Sequence, residues 1–116
     1  MFIYKQELPD EFGLMIPMYS SAASVEEFKK RVCRIDIQHN VPCMWYLTEG
    51  AGEDKVNGEE IYGVDIHKFT ITAMGTGWPL RQYDNEDGTF VDISDHYLGT
   101  CQIGEYVYHY FVDMFE

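Results

Sequence analysis

The sequence predicts a mainly β domain: a small antiparallel β-barrel or sandwich of six to seven strands with one short helix at about residues 24–32. Three observations carry this expectation. Apolar residues recur with period two over most of the chain, the spacing that lays one face of a strand on a core. The strand-like runs are joined by short turn signals, which pairs sequence neighbours antiparallel. Only one segment combines a helix start signal with a 3.6-residue apolar period. Strands and helices do not alternate, so a parallel nucleotide-binding sheet is not expected.

The elements follow in order. Phe2, Tyr4, Gln6 and Leu8 alternate with Ile3, Lys5 and Glu7, and Pro9-Asp10-Glu11 reads as a turn. Leu14 to Met18 reads as a second strand, which Pro17 pushes to a sheet edge because proline cannot donate to the ladder. Ser24 with Glu27 three residues later forms a capping box. Val25, Phe28 and Val32 then share one helical face, and Lys29, Lys30 and Arg31 fall where the helix dipole favours cations. Cys33, Ile35 and Ile37 alternate with Arg34, Asp36 and Gln38 as a half-buried strand. His39-Asn40 breaks it into a hairpin. Cys43, Trp45 and Leu47 alternate with Met44, Tyr46 and Thr48, apolar on both faces, as in a central strand, with Trp45 expected as a large core aromatic.

Residues 49–66 read as a polar loop or loose hairpin, with Asn57-Gly58 as a type I′ turn signal. His67 to Met74 is a strand whose Phe69, Ile71 and Ala73 face one way. Gly75-Thr76-Gly77-Trp78-Pro79 ends it. Tyr83 to Asp95 reads as a second acidic loop turning at Asp87-Gly88. Tyr97 to Ile103 and Glu105 to Phe115 are two strands around Gly104, the last central.

At 116 residues the chain makes a single domain spanning 1–116. Its 46% hydrophobic and 16% aromatic residues exclude a disordered chain. No apolar run approaches the roughly 20 residues of a membrane helix, and the first residues lack the pattern of a signal peptide. Acidic residues number 20 against 8 Lys and Arg, a net charge of −12. That charge repels nucleic acid and favours a basic protein partner. Three cysteines without a CxxC read as reduced, buried small hydrophobes: Cys33, Cys43 and Cys101. With the four histidines they miss the usual zinc-ligand spacing, so no metal and no cofactor is expected.

The chemical motifs are sparse. Gly75-Thr76-Gly77 lacks the third glycine of a dinucleotide loop and the Gly-Lys-Ser/Thr of a phosphate loop, so it reads as a turn. Asp84-Asn85-Glu86-Asp87-Gly88 fails the first and twelfth positions of a calcium loop and reads as a solvated hairpin tip. His109, between Tyr108 and Tyr110, reads as a hydrogen-bonded core histidine. No nucleophile elbow or metalloprotease motif occurs, so no catalytic residue is assigned and no enzyme is expected.

Four blocks together resemble a family of small uncharacterised proteins encoded by phages and prophages. They are Val41-Pro42-Cys43-Met44-Trp45, Gly75-Thr76-Gly77-Trp78-Pro79-Leu80, Tyr97-Leu98-Gly99-Thr100-Cys101-Gln102 and Val107-Tyr108-His109-Tyr110-Phe111. Trp78 stands where relatives often have His, and 19–31 and 50–66 resemble insertions. The resemblance implies a phage-encoded accessory protein in the bacterial host cytoplasm. It implies no activity that can be carried to a residue. Packing and turns account for the shared positions, which therefore read as a fold signature.

The expected function is a protein-binding inhibitor of a host defence system, similar in role to an anti-CRISPR. Acidic loops would dock on a basic, nucleic-acid-binding partner. Glu53, Asp54, Glu59, Glu60 and Asp65 in the first loop, with Asp84, Glu86, Asp87, Asp92 and Asp95 in the second, would carry the contact. The alternatives are a sponge sequestering a nucleotide-derived signal at a homo-oligomer interface, suggested by the aromatic surplus, and a structural accessory protein.

Overall fold

The structure, a computed structural model, describes residues 1–49, 60–61, 64–84 and 86–115. Two antiparallel sheets form a sandwich. The first has strands β1 (Phe2–Glu7), β4 (Val41–Thr48) and β3 (Val32–Gln38), in the order β1-β4-β3. The second has β10 (Tyr97–Ile103), β11 (Tyr106–Phe115), β7 (His67–Met74) and β2 (Met15–Ser20), in the order β10-β11-β7-β2. Two short hairpins complete the described strands: β5 (Glu60–Ile61) with β6 (Val64–Asp65), and β8 (Arg81–Asp84) with β9 (Thr89–Asp92). The two main sheets do not close into a barrel, so of the two architectures expected the sandwich is the one formed. Their seven strands are the longest, and the short hairpins add four more that the alternation pattern does not reveal.

The bulky strands β4 and β11 are both interior, as is β7, because a strand covered on both edges and at least one face can bury that much apolar surface. Pro17 sits on β2, an edge strand, where its missing N–H leaves no ladder bond unmade. The β3–β4 connection is the two-residue turn His39-Asn40 with φ of 53° and 65°. Positive φ at both positions marks the type I′ geometry that matches strand twist.

Met44 and Tyr46 from the first sheet meet Phe69, Ile71, Tyr110 and Val112 from the second in one core. The helix α1 (Val25–Arg31) plugs one end of it. Phe28 is fully buried, its ring 4.6 Å from Tyr46 and 4.7 Å from Phe69. The capping box forms with a shift: Ser24 accepts from the Glu27 N–H, while the Glu27 carboxylate reaches back one residue further, to the Ala23 N–H. Polar anchors fix the two layers together. The Tyr46 hydroxyl meets Ser20 at 2.5 Å, and the Tyr110 hydroxyl donates to the Pro9 carbonyl at 2.8 Å. Burial pushes the Tyr110 phenol well above its ordinary range. Arg31, nearly buried, ties the helix end to Ser21 and Glu27.

Three expectations need correction. Cys33 is exposed, because a bulge between Val32 and Arg34 turns it out of the alternation; only Cys43 and Cys101 are buried. Trp45 is half-buried on the outer face of its sheet, and its neighbour Tyr46 is the core aromatic. The stretch 83–95, read as a loop, is largely the β8–β9 hairpin followed by a 3-10 turn, Ser94–His96. The Asn57-Gly58 turn lies outside the described residues.

Candidate functional site

Strand pairing in the second sheet sends Phe69, Ile71, Tyr110, Val112 and Cys101 inward, and so sends Thr72, Met74, His109, Phe111 and Thr100 outward. Across that outer face lies the excursion 75–96. It leaves β7 through a turn closed by the Trp78 N–H donating to the Gly75 carbonyl, at 3.2 Å. Gly77 has φ of 86° at the third position, where a type II turn needs glycine. The Trp78 indole folds back onto Gly75 so closely that a Cβ there would stand 2.7 Å from Nε1. The excursion returns through Ile93, whose N–H donates to the Leu80 carbonyl at 2.9 Å. Ile93 packs with Met74 and Phe111 as a second, smaller core outside the sheet.

A cavity of about 320 Å³ remains between excursion and sheet, lined by Gly75, Thr76, Gly77, Trp78, Leu80, Ser94, Tyr97, His109 and Phe111. Its polar groups converge on one imidazole. His109 Nε2 lies 2.7 Å from the Thr76 hydroxyl and Nδ1 2.9 Å from the Thr100 hydroxyl. Thr100 in turn meets the Tyr97 hydroxyl at 2.5 Å. Both ring nitrogens are engaged by hydroxyls that can give or accept a proton, so the ring plane is held in either tautomer. His109 is thus hydrogen-bonded, as expected, but it stands at the cleft wall and not in the core. The described lining contains no Lys, Arg, Asp or Glu. Trp78 and Tyr97 keep 42% and 44% of their surface exposed.

Three of the four sequence blocks, about 75–80, 97–102 and 107–111, therefore meet at one cavity. The reading of those blocks as a fold signature alone is too narrow. Their glycines do shape turns, but their hydroxyls, imidazole and aromatic rings line the same space. The clue available in the sequence was the side-chain chemistry of the blocks, Thr and His beside aromatics, which packing does not require.

The expected acidic contact residues are not gathered in the same way. Glu53, Asp54 and Glu59 lie outside the described residues. Glu60 and Asp65 pair in the β5–β6 hairpin, and Asp84 ends β8. Glu86, Asp87, Asp92 and Asp95 are exposed. Two of these are also turn-formers. Asp87 accepts from the Thr89 hydroxyl and N–H, and Asp92 from the Ser94 N–H, bonds that hold both carboxyls below their usual range. The Asp95 carbonyl accepts from Lys29, which pins the 3-10 turn to the helix. Burial pushes the Cys101 thiol up, which disfavours the reactive thiolate. Among the described residues no three His, Cys, Asp or Glu stand close enough to hold a metal ion, and no helix is long and apolar enough to cross a membrane.

No protein-family model, no curated protein and no solved structure matches this chain.

Proposed function

We propose that the protein binds a small planar ligand, a nucleobase or the base of a larger molecule, in the Thr76–His109 cleft, and that it acts by sequestering it. The observation that carries this reading is the convergence of three separated sequence blocks on one cavity with few, fixed polar groups and partly exposed aromatic rings. Aromatic faces stack on any base, and hydroxyl and imidazole groups read its edge. Without Lys or Arg in the described lining, the cleft suits an uncharged ring and leaves any phosphate outside it. The resemblance to phage and prophage proteins supplies a setting: removal of a nucleotide-derived host signal.

The test is a fluorescence titration of a Trp45→Phe variant, in which Trp78 is the sole tryptophan. Nucleosides and cyclic dinucleotides should quench it saturably, and Thr76→Val with Phe111→Leu should weaken the binding. Unchanged fluorescence and melting temperature at millimolar concentrations of every one of them would end this reading.

A second reading is the acidic-loop inhibitor of a basic defence protein, favoured by the net charge of −12 and by exposed Glu86 and Asp87 at the β8–β9 turn. Reversing Glu86, Asp87 and Asp95 to Lys should then abolish protection of a phage against that defence. Full protection by the reversed variant would remove it.

A further inference from the structure

Outside the cleft, the turn that joins β1 to β2 has an unusual composition. Glu11 to Leu14 is a tight turn, with the Leu14 N–H donating to the Glu11 carbonyl at 3.2 Å and Gly13 at φ of 82°. Such turns favour small polar residues, yet this one presents Phe12, 41% exposed. The Phe12 ring lies 4.7 Å from Tyr108, 5.8 Å from Trp78 and 6.1 Å from Tyr106. Tyr108 is buried and closes the end of the core, but Trp78 and Tyr106 are 42% and 57% exposed. Carboxylates flank the rings: Asp10 and Glu11 precede Phe12, and Glu105 precedes Tyr106, all exposed. Among the described residues none of these three forms an ion pair. The Tyr108 phenol is pushed up by burial and then by Asp10, Tyr106 and Glu11.

We infer that the Phe12 turn, with Trp78 and Tyr106, is a docking surface for an arginine-rich segment of a basic protein partner. The guanidinium group stacks on aromatic faces and forks onto carboxylates, and this surface offers both side by side. The chain already uses half of that chemistry internally, with Arg81 4.4 Å over the ring of Phe90. Charge complementarity selects the occupant. A body of net charge −12 repels nucleic acid, an anionic membrane and a second copy of itself, and attracts a cationic peptide. Of the rings involved only Trp78 also lines the cleft, so this surface and the ligand site can fail independently.

The test is fluorescence anisotropy with a labelled octa-arginine peptide at near-physiological salt, on the whole chain. Phe12→Leu combined with Tyr106→Ala keeps every charge and keeps apolar cover on Tyr108. It should weaken binding about tenfold, the scale of losing two cation–aromatic contacts. Asp10→Asn with Glu11→Gln should weaken it by a similar factor, and octa-lysine should bind less well than octa-arginine. Glu86→Gln with Asp95→Asn, acidic residues elsewhere, should change it less than about twofold. Melting temperatures confirm that each variant is folded. Equal binding by the aromatic variant, or equal loss in the Glu86/Asp95 variant, would reduce the attraction to overall charge and overturn the inference, as would no binding at all.

Discussion

The two sheets of the sandwich have similar inner faces and opposite outer ones. The outer face of β10-β11-β7-β2 is roofed by the excursion 75–96, which buries Phe111 and Met74 under Ile93 and leaves the cleft. Among the described residues the outer face of β1-β4-β3 carries no such roof. It presents an open groove along Ile3, Trp45 and the Arg34–Asp36 ion pair. Two outward aromatics thus meet different fates: Phe111 is 4% exposed, while Trp45 stays half-buried. A recessed site in a two-layer fold needs a third layer, and here 22 residues between two strands supply it.

The largest test of this contrast is a pair of truncations. Phe111→Ala removes a buried ring from the second core and should cost about 3–5 kcal/mol in urea unfolding. Trp45→Ala gives up only partial burial and should cost about 1–2 kcal/mol. Equal costs would mean that the outer face of the first sheet is also covered.

A smaller effect sharpens how the roof is seated. Gly75→Ala places a methyl 2.7 Å from the Trp78 indole nitrogen, so the indole must swing away. Because Trp78 is partly exposed, the stability cost should be about 1–2 kcal/mol, but cleft binding should fall much further. Gly99→Ala, whose methyl meets the mobile tip of Ile35 at 2.9 Å, should lose less stability and leave the cleft intact. Ligand binding unchanged in the Gly75 variant would show that the indole is not a wall of the site.

Alkaline pH probes the shared interior. Burial raises the phenols of Tyr110 and Tyr108, so folded tyrosines keep protons that the unfolded chain sheds at about pH 10. Stability should be complete below that pH and fall as pH rises past it. Tyr110→Phe should flatten the fall, measured by melting temperature between about pH 9 and 11. An unflattened fall would locate the alkaline sensitivity elsewhere.

The smallest effect compares the two outer faces in acid. Asp87 and Asp92 brace the roof, and Asp36 on the outer face of the first sheet is held low by the Ile37 N–H and then by Arg34. Each has a depressed folded pKa, so its contribution is present above about pH 4 and is lost as pH falls through the folded value. All three are solvent-exposed, so the loss should be slight. Asp92→Asn should shift the acid melting curve and loosen the cleft, whereas Asp36→Asn should shift the curve alone. Identical effects of both on ligand binding would argue against a bracing role for the 3-10 turn.

Much of the fold is local and so was readable. The capping box at Ser24, the period-two runs at 67–74 and 97–103, the glycine at 104 and the edge-forcing Pro17 each act over a few residues. Tyr46 and Trp45 show the limit of that reading. When both faces of a strand are apolar, alternation fixes which residues share a face but not which face meets the core. Only the second sheet, packing on one side, decided it. Cys33 shows another limit, since a single-residue bulge reverses every outward and inward assignment before it.

The candidate site was legible only in fragments. The sequence by itself determined that 75–80, 97–102 and 107–111 contain turns, hydroxyls, an imidazole and aromatic rings. It determined the net charge of −12. Tertiary structure alone decided that Thr76, Thr100 and His109 hydrogen-bond in one row, because strand register and the fold-back of 75–96 bring together residues 9 and 33 positions apart. It alone decided that Phe12, from a turn near the N-terminus, leans on Trp78 and Tyr106. Contacts of that separation depend on where the chain returns, and a local pattern of polar and apolar residues does not encode that return.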